Sequence, residues 1–282
     1  MLLPLIAAVI IFVVCLCFVA FDERLKVTEY RISDARIENE ICIVMLSDLH
    51  RSLYGEEQEE LIALVDAQQP DAVLLGGDIF DEHGGYENAA AVLKDLSAKY
   101  PCFYVSGNHE FGIETTREQV ADFKDILKEC GILWLSGTHE ALTVGNTTVE
   151  LYGIDDENRY TIYRSETAFA GKNFLTELQN LSEGVDENRF SILLCHRPLG
   201  ADLKSLNFDL QLSGHTHGGQ WRFPPFFNGV YAPGQGYFPK YAYGRYKFER
   251  NTLIVGAGLC NTYGVVRIFN RPEIVVVRLT NG

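Results

Sequence analysis

Basic residues are scarce in this chain of 282 residues, with 24 Lys and Arg against 38 Asp and Glu and a formal net charge of -14. Counterion release from a phosphate backbone needs Lys and Arg, so no nucleic-acid backbone binding is expected. A small phosphorylated substrate held by metal stays compatible, because a buried metal centre would itself consume carboxylates. No Lys or Arg precedes Arg24, and the first 21 residues carry no charged side chain. A cleavable signal peptide needs a basic start and a small-x-small cleavage site, and Phe18-Val19-Ala20 has a bulky residue where a small one is required. The cysteines, at 15, 17, 42, 102, 130, 195 and 260, form no CxxC pair and leave one over from any disulfide count. Most lie in apolar runs, where they read as small buried hydrophobes kept reduced. Internal repeats, low-complexity tracts and interdomain linkers are also missing, which leaves one folded domain as the economical parse.

What the first 21 residues do have is apolarity on every side. As a helix they would span about 30 Å, the thickness of a bilayer core, with Pro4 in the first turn where a missing amide costs little. The expected organisation is a single-pass membrane anchor over 1–21, a connector and first strand over 22–40, and the main domain over 41–282. Arg24, Lys26 and Arg31 follow the span and favour the cytoplasmic side for that domain. Cys15 and Cys17 lack the small neighbours of a lipoprotein site.

Ile41 to Leu46, Ala72 to Leu75 and Cys102 to Val105 are apolar on both faces, the pattern of central strands covered on both sides. Amphipathic helices are expected over 55–69, 86–100 and 115–130, the last closed by Gly131. The order strand, helix, strand, helix, strand, helix collects a ligand site outside the carboxyl ends of the strands. Further strands are expected over 141–144, 148–154, 190–194, 208–212, 252–257, 264–269 and 273–279. A helix is expected over 174–181 and a loop over the site at 155–167.

A polar motif follows each of the first three strands: Ser47-Asp48-Leu49-His50, Gly76-Gly77-Asp78-Ile79-Phe80-Asp81 and Gly107-Asn108-His109-Glu110. Cys195-His196 and Gly214-His215-Thr216-His217 come later. Five of the chain's 7 histidines fall in these blocks, with His83 and His139 outside. A dinuclear metal site needs a carboxylate able to bridge, plus imidazoles and oxygen donors for the remaining positions. Asp48 and His50, two apart, would share one face of a regular strand and reach one ion. Asp78 is the natural bridge, Asn108 offers an amide oxygen to a second ion, and His196, His215 and His217 complete both shells. Taken singly, an Asp after a strand is more often a helix cap and a His in an apolar run a satisfied core group; five blocks in order are not explained that way. A thiol enzyme using Cys195 beside His196 is disfavoured, since adjacent residues in a strand point to opposite faces.

The series Asp-x-His, Gly-Asp-x-x-Asp, Gly-Asn-His-Glu, a lone His and Gly-His-x-His resembles the calcineurin-like metallophosphoesterase family over residues 48–217, with every block in the family's order. The resemblance implies an α/β fold, a four-layer α/β/β/α sandwich. It also implies two divalent ions, Mn²⁺ first with Fe or Zn also fitting. One would be held by Asp48, His50, Asp78 and His217, the other by Asp78, Asn108, His196 and His215. A hydroxide bridging the ions would attack phosphorus in line, and His109 would protonate the leaving oxygen or stabilise the transition state. Asp81 and Glu110 would orient a histidine ring.

Trp221 to Tyr246 is rich in aromatics, prolines and glycines and begins just past Gly218-Gly219-Gln220. It reads as an aromatic lid or groove, with Trp221, Phe223 and Tyr231 against an apolar or sugar-bearing substrate, or as a segment dipping into the membrane interface; the alternative is a loop packing its own small core. The anchor, the Gly-His-Thr-His-Gly-Gly-Gln block and the ending from Arg267 to Ile274 together resemble a membrane-anchored bacterial branch of the family. Some relatives there cleave the pyrophosphate of UDP-diacylglucosamine. The expected substrate is thus a phosphorylated small molecule or lipid, with a lipid pyrophosphatase as the alternative and a non-catalytic metal-binding membrane protein as the second.

Overall fold

The computed structural model describes residues 2–112, 115–162, 172–261 and 265–282. Its first element, α1 (Leu2–Ala20), contains one stretch, Leu3–Ala20, long and apolar enough to cross a membrane. Its described side chains are exposed except Ala20, at its base.

Two six-stranded sheets follow. The first contains β1 (Lys26–Ser33), β2 (Ile41–Leu46), β3 (Ala72–Gly76), β4 (Cys102–Val105), β5 (Leu133–Trp134) and the last strand, Glu273–Thr280. Between them run α2 (Glu59–Asp66), α3 (Tyr86–Ser97) and α4 (Arg117–Glu129). The second sheet holds β6 (Thr138–Val144), β7 (Thr147–Ile154), β8 (Phe190–Cys195), β9 (Leu210–Ser213) and two later strands, Gly244–Lys247 and Thr252–Val255. Its helices are α5 (Glu157–Ile162) and α6 (Phe174–Glu183), and a small hairpin, β10 (Tyr231–Ala232) with β11 (Gly236–Tyr237), stands apart from both sheets. In chain order the remaining strands are β12 (Gly244–Lys247), β13 (Thr252–Val255) and β14 (Glu273–Thr280). The strand orders are β1-β14-β2-β3-β4-β5 and β12-β13-β9-β8-β7-β6.

The unbroken apolar runs are explained by what lies on each side. In β2, Cys42, Val44 and Leu46 face α2, α3 and α4, while Ile43 and Met45 face the second sheet. In β8, Ile192 and Leu194 meet the first sheet, and Leu193 and Cys195 turn outward to the α5 and α6 side. Period-two alternation thus feeds two cores from one strand, and the layers stack helix, sheet, sheet, helix. Each fully buried Leu, Ile or Val contributes about 1.5–3 kcal/mol against its exposed state. At α4, the Thr116 side chain accepts from Gln119 N while Gln119 reaches back to Thr116 N, a capping box that starts the helix.

The structure departs from expectation in three places. The helix expected over 55–69 shrinks to α2, because Glu57 and Gln58 take positive φ and the buried Gln58 amide bonds Tyr54 N (2.9 Å) and Ser52 O (2.8 Å). Such side-chain bonds compete with the helix. Part of the expected loop at 155–167 is α5, and 163–167 lies outside the described residues. The strand expected over 264–269 reduces to an isolated bridge between Ile268 and Trp221, with Gly264 outside the described residues. Phe269 has φ 50° and donates its N–H to Ala20 O at 2.7 Å, so the chain turns toward the base of α1 instead.

Candidate metal centre

Asp48, His50, Asp78, His215 and His217 all take left-handed backbone, with φ between 47° and 69°. For non-glycine residues that conformation costs on the order of 1–3 kcal/mol and persists only where surroundings enforce it. Asp48 and His50 therefore do not converge through strand pleating. β2 ends at Leu46, and both residues lie on the turn beyond it, where Asp48 N bonds Gly77 O and His50 N bonds Asp78 O, each at 3.0 Å.

Asp78 is central. Its Oδ2 lies 3.0 Å from His196 Nε2 and 3.8 Å from His50 Nε2, and its Oδ1 accepts His109 N at 2.8 Å. Asp48 Oδ1 accepts His215 N at 2.9 Å and lies 3.8 Å from His217 Nε2. Asp48, His50 and Asp78 form one group of ligand atoms within 4.8 Å of one another, and Asp78, His196 and His215 form another. The two share Asp78. Asp48 Oδ2 and Asn108 Oδ1 are buried and make no hydrogen bond among the described residues. Buried oxygens of this kind are normally satisfied, and mixed carboxylate, amide and imidazole donors suit borderline divalent ions. The residues fit the two ions the family implies.

The rings are fixed from outside. His196 Nδ1 meets Gly76 O at 2.8 Å, and His50 Nδ1 meets Asp81 Oδ2 at 3.2 Å, which leaves each Nε2 toward Asp78. Asp81 thus stands where a ring-orienting carboxylate was expected. Glu110 acts on backbone instead of on a ring. Its oxygens accept Gly107 N (2.7 Å), Ile79 N (2.8 Å), Asp78 N (3.0 Å) and Phe80 N (3.1 Å), tying together two of the motif turns. The carboxylate paired with the His109 ring at Nδ1 is Glu82, and His109 packs edge-on against His50 with centroids 4.6 Å apart.

Charge follows from burial. Burial would raise Asp78, but His196, His109 and His50 outweigh it and hold the carboxyl well below its usual range. Burial opposes protonation of His196, yet Asp78 and Asp48 push it up to about 10. Burial likewise opposes His109, and Glu82 and Asp78 lift it to about 9. Burial, then the Asp78 charge, carries Glu110 to about 7 against the pull of its amide donors. Burial and neighbouring cations keep His215 and His217 well below the ordinary histidine value, in the neutral form a metal requires.

Four features were not found from sequence. Glycines 107, 214 and 258 leave the carboxylates room: a Cβ would sit 2.2 Å from Asp78 Oδ1 at Gly107, 2.3 Å from Asp48 Oδ2 at Gly214, and 2.6 Å from the same oxygen at Gly258. Arg267, buried, pins the Gly258 loop by donating to Ala257 O (2.9 Å) and Cys260 O (2.8 Å). A lone Arg inside the apolar stretch Val265 to Phe269 was the available signal. Arg197 Nε donates to Asp156 Oδ2 at 2.6 Å, and its Nη1 lies 3.5 Å from His215 Nε2. Cys260 offers a sulfur within 4.8 Å of nitrogens of His50 and His217. Cys195 is buried, and burial pushes its thiol far above the ordinary value, which disfavours a thiolate nucleophile.

The aromatic segment divides in two. Trp221 Nε1 donates to Val266 O at 2.9 Å and Phe223 packs on Phe269, with centroids 5.9 Å apart, both toward the base of α1. Tyr231 pairs with Tyr237 across the β10–β11 hairpin, at 5.5 Å. At that hairpin's turn, a Cβ on Gly234 would be 3.8 Å from both His215 Nε2 and Arg197 Nη1, so the turn borders the ligand cluster. A cavity of about 660 Å³ lined by Asp156, Tyr160, Phe174, Arg197 and Leu199 adjoins it through Arg197.

Residues 42–219 match the family described as calcineurin-like phosphoesterase. The chain is 29% identical over 283 residues to metallophosphoesterase Cj0846 of Campylobacter jejuni, covering 96% of this chain and 68% of that protein. It is 30% identical over 245 residues to metallophosphoesterase YkuE of Bacillus subtilis, covering 84% and 78%. Phosphodiesterase YaeI of Escherichia coli is 29% identical over 242 residues, covering 84% and 81%. Taken with the ligand groups that meet at Asp78, these matches establish that the chain belongs to the calcineurin-like phosphoesterase family and is a metal-dependent phosphoester hydrolase.

Proposed function

We propose that the protein hydrolyses a phosphoester or pyrophosphate of a lipid-linked substrate, using one ion held by Asp48, His50, Asp78 and His217 and a second held by Asp78, Asn108, His196 and His215. The observation that carries this is the position of Asp78 in both ligand groups. Bound divalent ions supply Lewis-acid polarisation of the phosphoryl oxygens and a water nucleophile at neutral pH. Mn²⁺ is the favoured ion, with Fe and Zn fitting the same donors. His109, against His50 and paired with Glu82, serves as the proton donor to the leaving oxygen. Arg197, anchored by Asp156, is placed to hold an anionic oxygen beside His215. Residues 1–21 act as the anchor and 22–40 as the connector with β1. The domain over 41–282 lies on the cytoplasmic side, following Arg24, Lys26 and Arg31.

A diester is the first substrate to try, since YaeI bears the name phosphodiesterase. Mn²⁺-loaded enzyme should release nitrophenol from bis-p-nitrophenyl phosphate, and Asp78→Ala or His109→Ala should abolish release. Full activity after strict chelation would overturn the proposal. A panel of phospholipid, nucleotide-sugar lipid and cyclic nucleotide then separates the finer readings: preference for UDP-diacylglucosamine supports a lipid pyrophosphatase. Metal binding without turnover of any phosphoester supports the non-catalytic alternative.

A further inference from the structure

Many of the large apolar side chains that the domain exposes gather in one segment and the loop beside it. Phe226 is 80% exposed, Tyr237 76%, Phe238 63%, and Val265 and Val266 52% each. Soluble surfaces rarely carry so contiguous a patch without a partner. Contacts connect it stepwise to α1. Phe227 and Phe238 have ring centroids 5.5 Å apart, Phe223 and Phe227 exchange backbone hydrogen bonds at 3.0 Å, Phe223 packs on Phe269, and Phe269 N bonds Ala20 O. The patch therefore continues the apolar surface of α1 at its base. Cations collect at the same level: Arg222 lies over the Tyr243 ring at 3.6 Å, and Lys26 Nζ donates to Tyr243 Oη at 3.1 Å. Aromatics flanked by snorkelling cations are the composition of the membrane interface.

We propose that the 223–238 segment, with Val265 and Val266, is a second membrane contact that seats the domain on the lipid headgroups beside α1. This rests on α1 being a membrane anchor. Because the Gly234 turn of the same segment borders His215 and Arg197, the seated domain turns its ligand cluster toward the lipid surface. A substrate phosphate presented at headgroup depth reaches the cluster without leaving the bilayer. A soluble phosphoester gains nothing from the seating.

Tryptophan makes this measurable, because the chain has 2, Trp221 at the patch and Trp134 packed among Phe111, Phe123 and Tyr104. The full chain is reconstituted in nanodiscs of phosphatidylcholine and phosphatidylglycerol, with or without acyl chains brominated near the headgroup. Brominated lipid is expected to quench tryptophan emission. Trp221→Phe should remove the quenched component and Trp134→Phe should retain it. Phe226→Asp with Phe238→Asp should diminish quenching while leaving hydrolysis of bis-p-nitrophenyl phosphate unchanged, which also shows that the variant is folded. A chain that inserts α1 but shows no quenching, or pairs through the patch as a dimer, overturns the seating and leaves the anchor standing. A chain that fails to enter nanodiscs while still hydrolysing the diester overturns the anchor and the seating together.

Discussion

The ligand cluster and the aromatic segment each reverse an ordinary rule of protein surfaces, in opposite directions. At the cluster, Asp48, Asp78 and His196 are charged or titratable groups taken out of water. At the segment, Phe226, Tyr237 and Phe238 are apolar groups left in it. Burying ionisable groups is tolerated only with opposite charge or coordination to compensate, and a contiguous apolar patch signals a covering partner. The difference in what each suits, divalent cations at one and, on the proposed seating, lipid at the other, separates the chemistry of the protein from its placement.

The comparison breaks first if the cluster does not depend on Asp78. Asp78→Ala should lower kcat on bis-p-nitrophenyl phosphate by about 10³-fold or more, the scale expected for losing a directly stabilising group, with metal content measured in parallel falling as well. Glu110→Gln is expected to cost about 10–100-fold in activity, as outer supports of metal ligands do, because an amide cannot accept all four backbone donors. Steady-state rates against metal concentration will reveal weakened metal affinity, and an unchanged metal titration would mean that the two turns hold themselves. Gly258→Ala combines a φ of 69° with a Cβ 2.6 Å from Asp48 Oδ2, so denaturant unfolding should report a loss of about 1–3 kcal/mol. The smallest effect belongs to the other region. Phe226→Asp in detergent should change stability by no more than about 0.5 kcal/mol, as at surface sites generally; a larger loss would make Phe226 part of a local core and the segment a self-packed loop.

How much was legible differs between these regions for a physical reason. The runs of β2, β3 and β4 announce themselves because period-two alternation between two apolar cores leaves no polar position. The ligand types stand out because each follows such a run, and chain order alone lines up their strand ends. Gln58, which shortens α2, and Phe269, which turns the expected strand aside, look unremarkable in sequence. Their effects come from hydrogen bonds to Tyr54 and Ala20 that local pattern does not encode.

By itself the sequence determined the α/β class and the residue types available to hold metal, which follow from periodicity and from ligand chemistry, while the phosphoesterase family and its layered sandwich were implied by the resemblance of the ordered motif blocks. Tertiary structure alone decided that Glu110 braces backbone while Glu82 pairs with His109, that Arg197 leans on Asp156 beside His215, and that Gly258 makes room for Asp48. It also decided that Trp221 and Phe223 pack on the stretch from Val266 to Phe269, whose end bonds Ala20 of α1, while the Gly234 turn reaches the ligand cluster. These depend on contacts between residues apart in the chain, several in left-handed conformations, which neighbouring strands within each sheet bring together for Glu110, Glu82 and Arg197, and which the packing of one sheet on the other brings together for Gly258 and Asp48.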